Sequence, residues 1–170
     1  MRPIILNLLF LIFTTPLLLA QDTTLFDEIR LTQTITDYGL TGKGTIVAVI
    51  DRGIDYRHPD FINPDGTSRI LYIVDLLNNS GANDPNNPLG RGTIFTNAQI
   101  TQALQQNTPL DTRDAVGHGH VTAGIAAGNG RGSNGAIIGI APEAAIISVK
   151  ITGEGAPAGG GQPAEEPFNF

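Results

Sequence analysis

Two residues dominate the chemistry open to this chain: Asp51, which closes an apolar run, and His118, which stands between Gly117 and Gly119. A carboxylate bonded to an imidazole makes a general base. The acid fixes the tautomer of the ring, and the ring moves a proton near neutral pH. A carboxylate directly after a buried strand lies at the carboxyl edge of a sheet, where open α/β folds place their sites. Glycines on both sides of a histidine let another group approach the ring closely. Taken singly, each has a plainer reading, Asp51 as a strand-ending acid before a turn and His118 as a loop residue.

Other polar residues cluster near these two in sequence. His120 brings a second imidazole two positions after His118. His58-Pro59-Asp60 reads as a turn, with His58 a turn residue and Asp60 a solvated turn acid. Asp114 reads as a capping residue for the helix that follows, with fixing the loop before His118 as the alternative. A zinc site built on His118, His120 and nearby carboxylates is the weaker alternative, because the one remaining histidine, His58, is distant in sequence. Hydroxyl nucleophiles are few: the serines are Ser68, Ser80, Ser133 and Ser148, and none opens a helix in a Gly-rich context.

The elements that must position these groups alternate. Residues 25–38 read as a helical approach, with Leu31, Ile35 and Tyr38 on one face. Residues 45–50 form a β-branched apolar run bounded by glycine, a strand expected to be buried on both faces of a parallel sheet. Residues 70–74 and 145–151 read as two further strands, and residues 98–104 as a short helix. Val121 to Ala127 is rich in small apolar residues that let a helix pack tightly on a sheet, and Gly128-Asn129-Gly130 ends it. Strand, helix, strand with Gly-rich joints is α/β organisation. Gly139-Ile140-Ala141-Pro142 is a turn feeding the last strand.

In order and local sequence, three stretches together resemble the subtilisin-like serine protease family (peptidase S8): Val47 to Asp55 with His58 to Phe61, Asp114 to Gly128, and Gly139 to Ala144. The family's chain order of Asp, then His, then Ser is a known worked case. The resemblance implies an α/β fold with a parallel sheet and helices on both faces, incomplete here. It puts Asp51 at the catalytic Asp and His118 at the catalytic His. It implies a protein or peptide substrate, no required cofactor and no catalytic metal, with structural calcium at Asp60 the one ion to consider. The family's Gly-Thr-Ser-x-Ala segment, which carries the nucleophile, has no counterpart here. The expectation is therefore the front part of a serine endopeptidase, unstable by itself because a half-built sheet exposes apolar surface. A non-catalytic pseudoprotease or regulatory domain is the alternative.

Two departures stand out. Where the family has Gly-Thr-His-Val-Ala-Gly, this chain has Gly119-His120-Val121-Thr122-Ala123-Gly124. The gap between Asp51 and His118 is also long, and residues 62–110 read as an inserted surface excursion. A similar insert occurs in a branch resembling the clostridial spore-germination proteases.

Composition bounds the remaining classes. Hydrophobic residues make up 41 % of the 170, enough for a core and against disorder along the whole length. A net charge of −6 with scattered basic residues argues against nucleic acid as a partner. The absence of cysteine excludes disulfides, thiolate metal sites and a Cys nucleophile. Met1-Arg2-Pro3 followed by an apolar stretch to Ala20 reads as a secretory signal peptide over residues 1–20, cleaved after Ala20, although Leu18 departs from the small-x-small rule; the alternative is a membrane anchor, at the short limit for a span and weakened by Pro16. Residues 21–170 are then the N-terminal part of the peptidase domain, secreted and without stable membrane insertion after cleavage.

Overall fold

A computed structural model describes residues 24–153. The expected signal peptide lies outside the described residues, as does the tail beyond residue 153. Helices α1 (Thr24–Glu28) and α2 (Leu31–Tyr38) replace the single expected approach helix. The break falls at Arg30, which takes the left-handed conformation with φ 56°. Four strands follow, β1 (Ile46–Asp51), β2 (Ile70–Asp75), β3 (Thr93–Thr96) and β4 (Ala145–Lys150). Helix α3 (Asn97–Gln106) follows β3, and α4 (His118–Ala127) precedes β4. Among the described residues no helix is long and apolar enough to cross a membrane.

The sheet order is β1-β4-β2-β3, with β4 parallel to both neighbours and β3 antiparallel to β2. Register puts Val47, Val49 and Asp51 on one face with Ile70, Ile73 and Asp75 and with Ile146, Ser148 and Lys150. That face carries the core. Val49, Ile70, Ile73 and Ile146 form one cluster with Ile100 and Ala103 of α3 and Ala123 and Ala127 of α4. Gly119, Ala123 and Ala127 recur at a spacing of four and are buried, so the smallest side chains of α4 bring its axis close to the sheet.

Among the described residues the opposite face is open, so β1, an edge strand, is covered on one face and not on both as its apolar run suggested. Ile46, Ile50 and Tyr72 are 57 %, 63 % and 45 % exposed. The expectation of helices on both faces is thus met on one face only among the described residues, since α3 and α4 share the same side and α1 and α2 pack chiefly on each other.

Residues 62–110 are not a surface excursion throughout. Ile70 and Ile73 are 0 % and 1 % exposed, and β2 is an inner strand. Burying each such side chain stabilises by ~1.5–3 kcal/mol, so the fold needs this strand. In this span a shorter exposed stretch lies at residues 105–109, and the longest is residues 76–92. There an Asn- and Gly-rich loop holds itself through Asn87, whose amide donates to the carbonyls of Gly81, Arg91 and Gly92. Strand β3 went unrecognised in the sequence because four residues, Thr-Ile-Phe-Thr, are too short for a period to register.

Candidate active site

Asp51 is the last residue of β1, and its side chain is 13 % exposed. His118 is the first residue of α4, and its side chain is 68 % exposed. Both carboxylate oxygens of Asp51 lie 2.8 Å from His118 Nδ1. An ionised carboxylate only accepts, so Nδ1 carries the proton and donates it. Nε2 is then the nitrogen left with a lone pair for proton transfer. Asp51 Oδ1 also accepts the Arg52 backbone N–H at 2.7 Å, which fixes the carboxylate against rotation.

The approach of α4 to β1 depends on absent side chains. A Cβ at Gly119 would collide with the Gly53 carbonyl oxygen and sit 3.1 Å from Asp51 Cβ. Gly117 precedes His118 with φ 85°, a left-handed conformation that glycine takes without steric cost. It offers no side chain to cap the helix, and Asp114 supplies one instead. Asp114 Oδ1 accepts the N–H groups of Val116 at 3.1 Å and Gly117 at 2.7 Å, and Oδ2 accepts that of His120 at 2.9 Å. The capping expectation for Asp114 therefore holds, and an acid at this end also suits the helix dipole.

The far end of α4 is closed by the Gly139 turn. The N–H groups of Gly139, Ile140 and Ala141 donate to the carbonyls of Gly128, Ile125 and Ala126. These are acceptors that the last helical turn leaves unpaired. A Cβ at Gly139 would meet backbone atoms of residues 124, 127 and 128 within 2.8 Å.

His120 does not join Asp51 and His118. Its ring packs edge-on against His58 and Phe61, with centroids 4.8 Å and 5.3 Å apart, and its Nδ1 is buried without a hydrogen-bond partner. His58 opens a short 3₁₀ turn (Pro59–Phe61), its Nδ1 accepting the Asp60 N–H. The Asp60 carboxylate accepts the Gly132 N–H at 2.7 Å. Among the described residues no three His, Cys, Asp or Glu side chains come together to hold a metal ion, so the zinc alternative has no geometric support.

Each serine is engaged elsewhere or buried. Ser68 Oγ accepts from Ile70 N–H, Ser80 Oγ meets Thr93 Oγ1, and Ser133 Oγ bonds within its own loop. Ser148 is 1 % exposed inside β4. Among the described residues no serine hydroxyl bonds the His118 ring.

The sequence reading singled out neither Asp75 nor Lys150. Both close apolar strands as Asp51 does, and a charge at the end of an apolar run was the signal available. They are buried and bonded to the segment that leads into α4.

The Subtilase family profile matches residues 42–165, which include Asp51, His118 and the Gly139 turn. The chain belongs to the subtilase family. The serine protease AprX of Bacillus subtilis is 35 % identical over 112 residues, covering 66 % of this chain and 17 % of that protein. The PII-type proteinase of Lactococcus lactis is 32 % identical over 124 residues, covering 68 % of this chain and 6 % of that protein. The chain thus spans less than a fifth of the length of these curated relatives. The structure of the Clostridium perfringens CspB protease superposes with a TM-score of 0.61 at 34 % identity, over 76 % of this chain and 26 % of that one. The subtilisin-like α/β fold follows from that superposition, and a clostridial branch is consistent with it. The permuted stretch after His118 leaves the Asp–His pair of this subtilase intact and turns its second imidazole against His58 and Phe61.

Proposed function

We propose that this chain is the front part of a secreted subtilisin-like serine endopeptidase, supplying the base and its orienting acid to a triad whose nucleophile stands outside these 170 residues. One observation carries the reading: the Asp51 carboxylate bonds His118 Nδ1 at the carboxyl end of β1, leaving Nε2 turned to an exposed surface.

In this reading a serine hydroxyl attacks the substrate peptide carbonyl while His118 Nε2 takes its proton. The same nitrogen then gives that proton to the leaving amine, and a water repeats the sequence to release the acyl group. Asp51 stays ionised throughout. It holds the tautomer and stabilises the imidazolium that forms in each half-reaction. The proton transfers require no cofactor. Structural calcium at Asp60 stays a proposal, to be checked by calcium titration of thermal stability.

The proposed layout has a signal peptide over residues 1–20, peptidase domain from residue 21 on, protein or peptide substrates, no nucleic acid and no lasting membrane insertion. Extracellular placement is supported by relatives such as the minor extracellular protease Vpr of Bacillus subtilis.

The test is to express the longest polypeptide of the reading frame and measure cleavage of unfolded protein and labelling by a serine-reactive fluorophosphonate. Wild type should cleave and label. Asp51→Asn should lower kcat by roughly 10⁴-fold, the scale set by the wrong tautomer in serine-protease triads. His118→Ala should lower it at least as far. Cleavage that survives both substitutions sinks the proposal. A second reading, a non-catalytic binding domain, draws on the lack of any serine at the His118 ring among the described residues. Wild type that binds protein and neither cleaves nor labels would establish it.

A further inference from the structure

Three charged residues stand side by side at the carboxyl ends of adjacent strands. Asp51 of β1 is in register with Lys150 of β4, and Lys150 with Asp75 of β2. All three side chains lie on the covered face. Each fastens a different residue of the segment that enters α4. Asp75 Oδ2 accepts the Thr112 hydroxyl at 2.7 Å, Lys150 Nζ donates to the Arg113 carbonyl at 2.9 Å, and Asp51 holds His118 at 2.8 Å.

Asp75 and Lys150 are only 3 % and 6 % exposed. A charge so buried is costly unless it is bonded, and part of that bonding comes from residues 112 and 113. Asp75 is itself held rigid, since its Oδ1 accepts the N–H groups of Leu77 and Asn78. Upstream, the Tyr56 hydroxyl accepts the Leu110 N–H at 2.9 Å, and the Asn78 amide donates to the Asp111 carbonyl at 2.8 Å. Four consecutive residues, 110 to 113, are thus tied by polar contacts. Leu110 at the head of the segment packs against the core, but a cleft of about 640 Å³ borders Tyr56, Asp75, Thr112 and Lys150, so over residues 112 and 113 the polar ties hold the segment above the sheet.

We propose that Asp75 and Lys150 are positioning residues for His118, acting through Thr112 and Arg113 to fix where α4 begins. The inference rests on the base role proposed for His118. Its physical content is that a shift in the 112–113 segment moves the imidazole off Asp51, and misplacement of a catalytic group by about 1 Å costs rate steeply.

Thr112→Val tests it with little change of shape, removing only the hydroxyl that Asp75 accepts, and Thr112→Ser returns that hydroxyl. Both are made in the longest polypeptide of the reading frame, with histidines ¹⁵N-labelled. Thr112→Val should lower kcat about tenfold at unchanged KM. It should also weaken the downfield Nδ1–H signal of His118 that reports the Asp51 bond. Thr112→Ser should restore both. Lys150→Met, which keeps the stem and loses the ammonium, should act in the same direction, with Lys150→Arg recovering part. Wild-type kcat and an unchanged Nδ1–H signal in Thr112→Val would overturn the proposal, as would equal losses in Thr112→Val and Thr112→Ser. If wild type shows no proteolysis but Thr112→Val still weakens the Nδ1–H signal, positioning stands and the protease reading falls. If wild type cleaves and the variants change neither readout, the reverse holds.

Discussion

The Asp51 carboxylate and the His118 imidazole, 67 positions apart in the chain, meet with both carboxylate oxygens 2.8 Å from one ring nitrogen. The contact joins the end of a strand to the start of a helix. It exists because the backbone of α4 at Gly119 lies directly against the turn that follows β1.

Gly119→Ala should therefore break the contact while leaving both of its partners' side chains chemically unchanged. The added methyl would overlap the Gly53 carbonyl, a backbone atom that cannot swing aside. Overpacking of this kind costs ~1–3 kcal/mol and moves the helix outward. The expected outcome is a lower melting temperature with loss of most proteolytic activity, read by calorimetry and peptide cleavage. An alanine variant with wild-type kcat would show that α4 tolerates displacement.

Arg69 should prove to be the main polar anchor of the core. It is 7 % exposed, and its guanidinium donates to the carbonyls of Asp60, Ala127 and Ala144 at 2.6–2.7 Å. Burial pushes its pKa below the ordinary value, while the charges of Asp60 and Glu143 act to raise it. Arg69→Met keeps the apolar stem and takes the guanidinium from the Ala127 and Ala144 carbonyls, while the Asp60 carbonyl keeps the Asn129 N–H. A loss on the order of 3 kcal/mol is expected in denaturant unfolding. A loss under about 1 kcal/mol would mean that water replaces the guanidinium.

Asp65 should contribute stability that is lost at acid pH. The Thr67 hydroxyl and then the Thr67 backbone N–H, both donating to Oδ1, hold its carboxyl below the ordinary 3.8. The folded-state value is thus below the unfolded one, and the unfolded chain binds more protons between them. The contribution is complete above the unfolded value and is lost as pH falls through the folded one. Thr67→Val should raise the Asp65 midpoint in an NMR titration and flatten this part of the acid limb. An unmoved midpoint would assign the depression to another donor.

The open sheet face should make residues 21–170 associate in isolation. Ile46, Ile50 and Tyr72 stand exposed on it, and β1 is an edge strand among the described residues. Exposed apolar patches beside an unpaired edge promote self-association. Ile50→Lys should reduce sedimentation of large species and binding of a hydrophobic dye. A sharply melting, monodisperse wild-type piece would count against this.

Local pattern alone determined much about this protein. The β-branched run before Asp51, the small-residue helix after His118 and the Gly139 turn were legible because burial on a sheet demands those residue types at those spacings. The Asp51–His118 pair followed from the order of these stretches and their likeness to a family. Tertiary structure decided the rest. A one-residue alternation cannot say which sheet face is covered, so the one-sided packing of α3 and α4 had to be seen. Local sequence could not tell that residues 70–75 form an inner strand, because pairing with β4 depends on contacts far along the chain. The direction of the His120 ring and the strand-end row of Asp51, Lys150 and Asp75 depend on register between strands distant in sequence. Register is a property of the assembled sheet, and no stretch of residues carries it alone.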